Sequence, residues 1–231
     1  MVTAEQTSVQ VFHREGHSHR DVNGGWLRPA VFGAMDGLVS NLALMAGVAG
    51  GSTSREAVVI AGLAGLAAGA FSMAAGEYTS VASQRDLVQR EVEVEREELR
   101  RNPYDEQAEL AERYVARGVD RDLAEKVASQ LSQDPEQALE IHARDELGID
   151  PTELPAPMVA AASSFISFAL GALLPILPYL VGAVALWPAV VVSLIGLFGC
   201  GALVARITDR PWWFSGTRQL LLGGEAAGVT Y

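Results

Sequence analysis

The chain has 231 residues, 49% hydrophobic and 19% charged, with a formal net charge of −11. Such acidity argues against nucleic acid as a partner and for the attraction of cations. The single cysteine, Cys200, lies in an apolar run, which excludes a disulfide framework and a cysteine-based zinc site.

The averages hide an uneven distribution. Of the 28 acidic residues, 20 lie between positions 85 and 154, together with 10 of the 17 basic ones. The flanking segments are nearly free of charge for a span's length at a time. This is the pattern of an all-α integral membrane protein with one charged extramembrane module.

In chain order, residues 1–27 form a polar tail without the apolar core of a cleaved signal peptide. His13, His17 and His19 in this tail are able to scavenge metal, but a flexible polar tail is the plainer reading. Five apolar stretches follow, at roughly 29–50, 56–79, 156–178, 182–205 and 213–231. Pro29 suits the first turn of the first span. Pro175 and Pro178 predict that the third kinks or ends there. The aromatic residues WWF anchor the start of the fifth at an interface. That last span crosses only about 27 Å at 1.5 Å per residue, so further C-terminal residues are expected beyond Tyr231.

Between the second and third spans lies the charged module, residues 80–154. The second span runs on without a break into SQRDLVQREVEVEREELRR. Asn102-Pro103 opens a new helix, Gly118 ends it, and Asp120 caps the next. Asp134-Pro135 starts a last helix with Gln137 at capping-box spacing, and Gly148 stops it. Arginines cluster in the tail, the module and the 206–210 loop. The positive-inside rule therefore places all three in the cytoplasm. The resulting divisions are 1–27, 28–79, 80–154 and 155–231.

Two constellations offer metal chemistry. Asp36 lies about 10 Å inside the cytoplasmic start of the first span, and Met73 about as deep in the second. Gly65, Gly69, Met73 and Glu77 recur every fourth residue, so they share one stripe. The glycines allow close approach of span one or a symmetry mate. Two carboxylates and a thioether suit a borderline ion such as Fe(II) better than Mg or Ca. Packing for Met73 and an interfacial charge for Glu77 remain the plainer alternative. In the module, the pairs Glu95/Glu98 and Glu106/Glu109 face each other across a chain reversal, and His142 and Glu146 share a helix face. Carboxylates with an imidazole bind Fe(II), Mn(II) or Zn(II). A solvated helix laced with pairs such as Glu97–Arg101 has the same composition. Ser163, Ser164, Ser167 and Asn41 either bond between helices or line a path. No nucleotide-binding loop, Ser–His–Asp set or CxxC motif is present, which points away from an enzyme and from ATP-driven transport.

DGLVSNLALMAGVAG, FSMAAGEYTSVASQ, the Glu-rich helices and GALLPILPY resemble the vacuolar iron transporter family, from about residue 28 onward. The resemblance implies a homodimer of five-span protomers with a cytoplasmic helical metal-binding domain between spans two and three. It implies proton-coupled export of Fe2+, and often Mn2+, from the cytoplasm for metal homeostasis. Asp36 and Met73 match the family's intramembrane ligands, and Glu95, Glu98, Glu106, Glu109 and Glu146 its domain ligands. The chain departs from the family pattern in three places. His142 stands where the plant-type pattern has methionine. Gly65 stands where some relatives place a carboxylate. Phe168 stands where some place a tyrosine. A bacterial-type member in the cell membrane is expected, without the ferritin-like domain that precedes the same membrane unit in some bacterial relatives. On this reading the module collects Fe2+ or Mn2+, with Co2+ and Zn2+ as further possible cargo. Glu77 hands the ion to Asp36 and Met73, and protons compete for Asp36. A membrane-anchored metal buffer or sensor, or a scaffold for a partner protein, are the competing classes.

Overall fold

Apolar and charged sequence share one helix of 47 residues. The computed structural model describes residues 25–51, 54–208 and 210–230, with side chains as far as 221 except at 207 and 208. The tail histidines His13, His17 and His19 lie outside the described residues. Eight helices follow in order: α1 (Leu27–Gly51), α2 (Arg55–Arg101), α3 (Pro103–Ala116), α4 (Arg121–Leu131), α5 (Pro135–Glu146), α6 (Pro157–Leu180), α7 (Trp187–Thr208) and α8 (Trp212–Thr230). No strand occurs among the described residues.

Among the described residues four helices are long and apolar enough to cross a membrane: α1, the apolar part of α2, α6, and α7 over Trp187–Arg206. The fifth stretch is helical in α8, which has 19 residues. At 1.5 Å per residue α2 is about 70 Å long, more than twice a hydrocarbon core of about 30 Å. Its charged C-terminal half must therefore leave the bilayer, and it carries the module with it. Phe71, Ile166 and Ile195 project outward, between 58% and 68% exposed, as lipid-facing side chains do.

Lipid gives no hydrophobic reward for joining two apolar helices, so close packing of small residues must hold the bundle. Here α6 is wedged between α1 and α2. Gly37 of α1 lies against the Phe168 backbone, and Gly171 of α6 lies against the Ala34 backbone, so that a methyl group at either position would overlap main chain. Asn41 adds a polar tie, its Nδ2 donating to the Ala172 carbonyl at 2.7 Å. The far end of the bundle closes on Leu42, Met45, Val58, Ile176 and Tyr179.

α6 runs through Pro175 and Pro178 and ends two residues later at Leu180, close to the expected stop. Both prolines are buried in the bundle. The helix's last carbonyls are taken by Arg55 at the start of α2, through Nε to Tyr179 O at 2.7 Å and Nη2 to Leu180 O at 3.2 Å. Carbonyls that a helix end leaves orphaned are thus satisfied by a guanidinium.

The module follows its punctuation. Asp120 accepts from the Asp122 amide, and Asp134 from the amides of Glu136 and Gln137. Gly118 and Gly148 adopt φ of +94° and +65° just beyond their helices, a region open to glycine at little cost. Asn102 occupies the N-cap of α3, but its side chain makes no cap bond and donates instead to Glu98 at 3.0 Å. A small core of Leu110, Ala111 and Ala128 joins α3 to α4, and Ile141 of α5 packs on it. Ion pairs Arg117–Asp145 (2.8 Å) and Arg121–Glu112 (2.6 Å) clamp its rim.

Candidate metal centre and intramembrane cavity

Three helices of the module converge on one imidazole. His142 of α5 is fully buried. Its Nδ1 lies 3.1 Å from Glu146 Oε1, 3.2 Å from Glu95 Oε1 of α2 and 3.6 Å from Glu106 Oε2 of α3. One donor atom from each of these four residues lies within 4.8 Å of all the others. The spacing of His142 and Glu146, one helical turn apart, puts both on the same face of α5. Glu95 is 8% exposed, and its Oε1 is buried without a hydrogen bond of good geometry.

Buried carboxylates gathered this closely repel one another and lack water. Burial raises the Glu95 carboxyl above its ordinary range, and nearby Glu146 adds to the shift against the opposing pull of His142. Burial likewise raises Glu106, with His142 opposing and Glu146 reinforcing. Three carboxylates and one imidazole nitrogen form a mixed O/N donor set suited to Fe(II), Mn(II) or Zn(II). A divalent cation would relieve the repulsion and supply the partner that Glu95 Oε1 lacks.

The other two expected glutamates stand outside this group. Glu98 accepts from Asn102, and Glu109 pairs with Arg113 at 2.9 Å. Both are close enough to act electrostatically on Glu106. Arg113 is the residue that sequence reasoning missed. Its Nε lies 3.2 Å from Glu146 Oε1, and its Nη1 donates to the Asp145 carbonyl at 3.4 Å. The guanidinium therefore bridges the Glu109 and Glu146 carboxylates and the Asp145 carbonyl at the rim of the cluster.

Within the bundle, a cavity of about 310 Å³ is lined by Asp36, Ser40 and Asn41 of α1 and by Ser72 and Met73 of α2. Leu44, Gly65, Gly69 and Phe168 complete its wall. Asp36 and Met73 thus border one space. Met73 also packs on the cluster of Ala70, Phe168 and Ala172, so packing and cavity lining are both true of it. Glu77, half-buried one turn further along α2, is outside the cavity wall. The glycine stripe divides its duties within the protomer. Gly65 faces Asn41 and Leu44 of α1, whereas the Phe168 ring of α6 fills the space beside Gly69. Asn41 performs both roles left open by sequence, bonding to α6 and lining the cavity. Ser163 and Ser167 bond to the Trp26 and Pro29 carbonyls and tie α6 to the start of α1.

Comparison with known proteins bears on this arrangement. A family model described as the VIT family matches residues 27–231. A vacuolar iron transporter of Acanthamoeba castellanii is 41% identical over 220 residues, covering 94% of this chain and 77% of that protein. Vacuolar iron transporter 1 of Eucalyptus grandis is 33% identical, covering 98% of this chain and 91% of its own length. Its namesake in Arabidopsis thaliana is 31% identical, covering all of this chain and 92% of the relative.

Proposed function

Because this chain belongs to the VIT family, a family of transporters and not of enzymes, we propose that it carries Fe2+ out of the cytoplasm in exchange for protons. Mn2+ is proposed as a second cargo, with Co2+ and Zn2+ accepted more weakly or more slowly. The functional unit on this reading is a homodimer of five-span protomers in the cell membrane, with the tail and the module in the cytoplasm.

The single observation that supports this reading best is the sharing of α2. The same helix carries Met73 on the cavity wall and Glu95 in the four-donor cluster. A rigid helix thus joins a place to gather ions to a place within the membrane. In the proposed cycle Glu95, Glu106, His142 and Glu146 gather the ion, with Glu98 and Glu109 supplying negative field around them. Glu77 is the next oxygen toward the bilayer. Asp36 and Met73 then take the ion, and a proton arriving from the far side neutralises Asp36 and frees it. An intramembrane carboxylate is costly unless it meets a partner or water, which supports a transport role for Asp36.

The test is flux into proteoliposomes holding a metal-quenched dye. With an acidic interior and Fe2+ kept reduced, quenching that depends on the pH gradient is expected. Folded wild-type protein that binds Fe2+ but gives no quenching with any of the four ions would replace this reading with a metal buffer.

A further inference from the structure

We propose that Asn41 is a metal-contacting residue of the intramembrane cavity, supplying through Oδ1 a neutral hard oxygen beside Asp36 and Met73. The inference rests on the transport reading and extends it to a residue that reading does not use.

Three observations carry it. Asn41 is 2% exposed, and its Oδ1 is buried with no hydrogen-bond partner. The orientation of the amide is fixed by chemistry. Nδ2 donates to the Ala172 carbonyl at 2.7 Å, and a reversed amide would set two oxygens against each other there. The free oxygen is turned to Gly65 across the cavity wall, where an added methyl group would come within 2.6 Å of it. Gly65, having no side chain, leaves room for Oδ1, and both residues border the same cavity as Asp36 and Met73.

A buried acceptor without a partner is costly, by about 1–3 kcal/mol, and few are left so in native proteins. A cation in the cavity repays that cost, because an amide oxygen is an ordinary ligand for hard and borderline ions. The oxygen is uncharged, so it adds coordination without a second fixed negative charge in the membrane. It also draws the donor set of the cavity toward oxygen. Asn41 therefore helps the site hold Mn2+, the harder ion, where the Met73 sulfur favours Fe2+.

The experiment measures KM for Mn2+ and for Fe2+ in proteoliposomes for three substitutions in the full-length chain. Asn41→Asp keeps an oxygen at the position and, as the neutral acid, keeps a donor toward the Ala172 carbonyl, so both KM values should stay within about threefold of wild type. Asn41→Met replaces it with sulfur, and the KM ratio of Mn2+ to Fe2+ should rise about tenfold. Gly65→Ala retains the Asn41 donor to Ala172 but crowds Oδ1 together with the Leu44 side chain, so both KM values should rise. A purely structural Asn41 predicts instead a lower melting temperature and lower maximal rates, with the KM ratio unchanged in every variant. That result overturns the inference, as does a ratio shifted equally by the Asp and Met variants, or unaltered KM values in Gly65→Ala. Absence of flux in the wild type overturns the transport reading and this inference together, whereas wild-type flux with unmoved KM values overturns only the inference.

Discussion

Oε1 of Glu146 lies 3.1 Å from Nδ1 of His142 and 3.2 Å from Nε of Arg113, so one oxygen serves both the centre of the metal cluster and a fixed cation. An entering ion must share this oxygen with Arg113 or take it. Arg113→Gln removes the competitor while keeping a hydrogen-bonding side chain. Binding of Mn2+ to the detergent-solubilised protein should tighten about fivefold, as expected from roughly 1 kcal/mol for a partly exposed charge pair. Weaker binding at an unchanged melting temperature would show instead that Arg113 orients Glu146 for the ion.

The five module glutamates are expected to separate into two groups. Glu95→Gln, Glu106→Gln or Glu146→Gln each removes a donor from the converging set, and each should weaken Mn2+ binding tenfold or more, roughly 1.4 kcal/mol. Glu98→Gln and Glu109→Gln act only through the surrounding field and should weaken it about threefold or less. Calorimetric titration of the full-length variants distinguishes the groups. Equal losses at all five positions would place Glu98 and Glu109 among the ligands of the loaded site.

Metal capture should depend on pH with a definite sign. Glu95 and Glu106 have raised carboxyl pKa values, above the ordinary 4.5, caused first by burial. Both therefore hold protons in the folded protein at pH values where an unfolded chain has lost them. Since the folded state binds more protons, the stability they contribute without metal is present below 4.5 and falls as pH rises through their folded values. The ion needs both groups deprotonated, so its affinity rises over the same window. Thermal melts with and without Mn2+ from pH 4.5 to 7.5 should show stabilisation by the ion growing with pH. A constant increment across that range would contradict the assignment.

Much of this arrangement was legible in the sequence because it is local. Asp120, Asp134, Gly118 and Gly148 act within a few residues of themselves and mark the module's helices correctly. The Glu97–Arg101 pair forms at 2.7 Å as its spacing of four requires. His142 and Glu146 likewise meet by helical spacing alone. What spacing does not give is rotation about the axis. Residues three apart on a helix differ by about 60° in direction, so when Glu95 points at His142 its neighbour Glu98 turns toward Asn102. Long-range partners are less legible still. Nothing near Arg113 in the chain announces Glu146, and nothing near Gly69 announces that Phe168 will fill its place. The shared cavity of Asp36 and Met73 was expected from equal depth, but the orphaned oxygen of Asn41 emerges only once α6 is packed against α1.

Within the membrane, Asp36→Asn retains size and hydrogen bonding but removes the charge. Proton-coupled flux of Fe2+ should fall at least a hundredfold, with the size-exclusion profile and the module's metal binding unaltered. Met73→Leu fills nearly the same volume on the Phe168 cluster but removes sulfur, so it should raise KM for Fe2+ more than for Mn2+. Wild-type flux in Asp36→Asn would rule out the proposed route.

Stability of the bundle is expected to hinge on a residue far from either metal site. Arg55 closes the C-terminal end of α6 through the Tyr179 and Leu180 carbonyls, 124 residues or more along the chain. In the apolar medium these carbonyls have few alternative partners, and hydrogen bonds to a charged group contribute about 1.5–3 kcal/mol. Arg55→Ala should therefore lower the melting temperature of the protein in detergent by several degrees. The loss should be greater than for Arg96→Ala, whose contact with Glu93 is an exposed pair on α2 worth at most about 1 kcal/mol. Because Arg55 lies at the end of the bundle opposite the module, Mn2+ affinity of the cluster should be unchanged in Arg55→Ala. A coupled loss of binding would mean that the α2–α6 junction transmits strain along the whole length of α2.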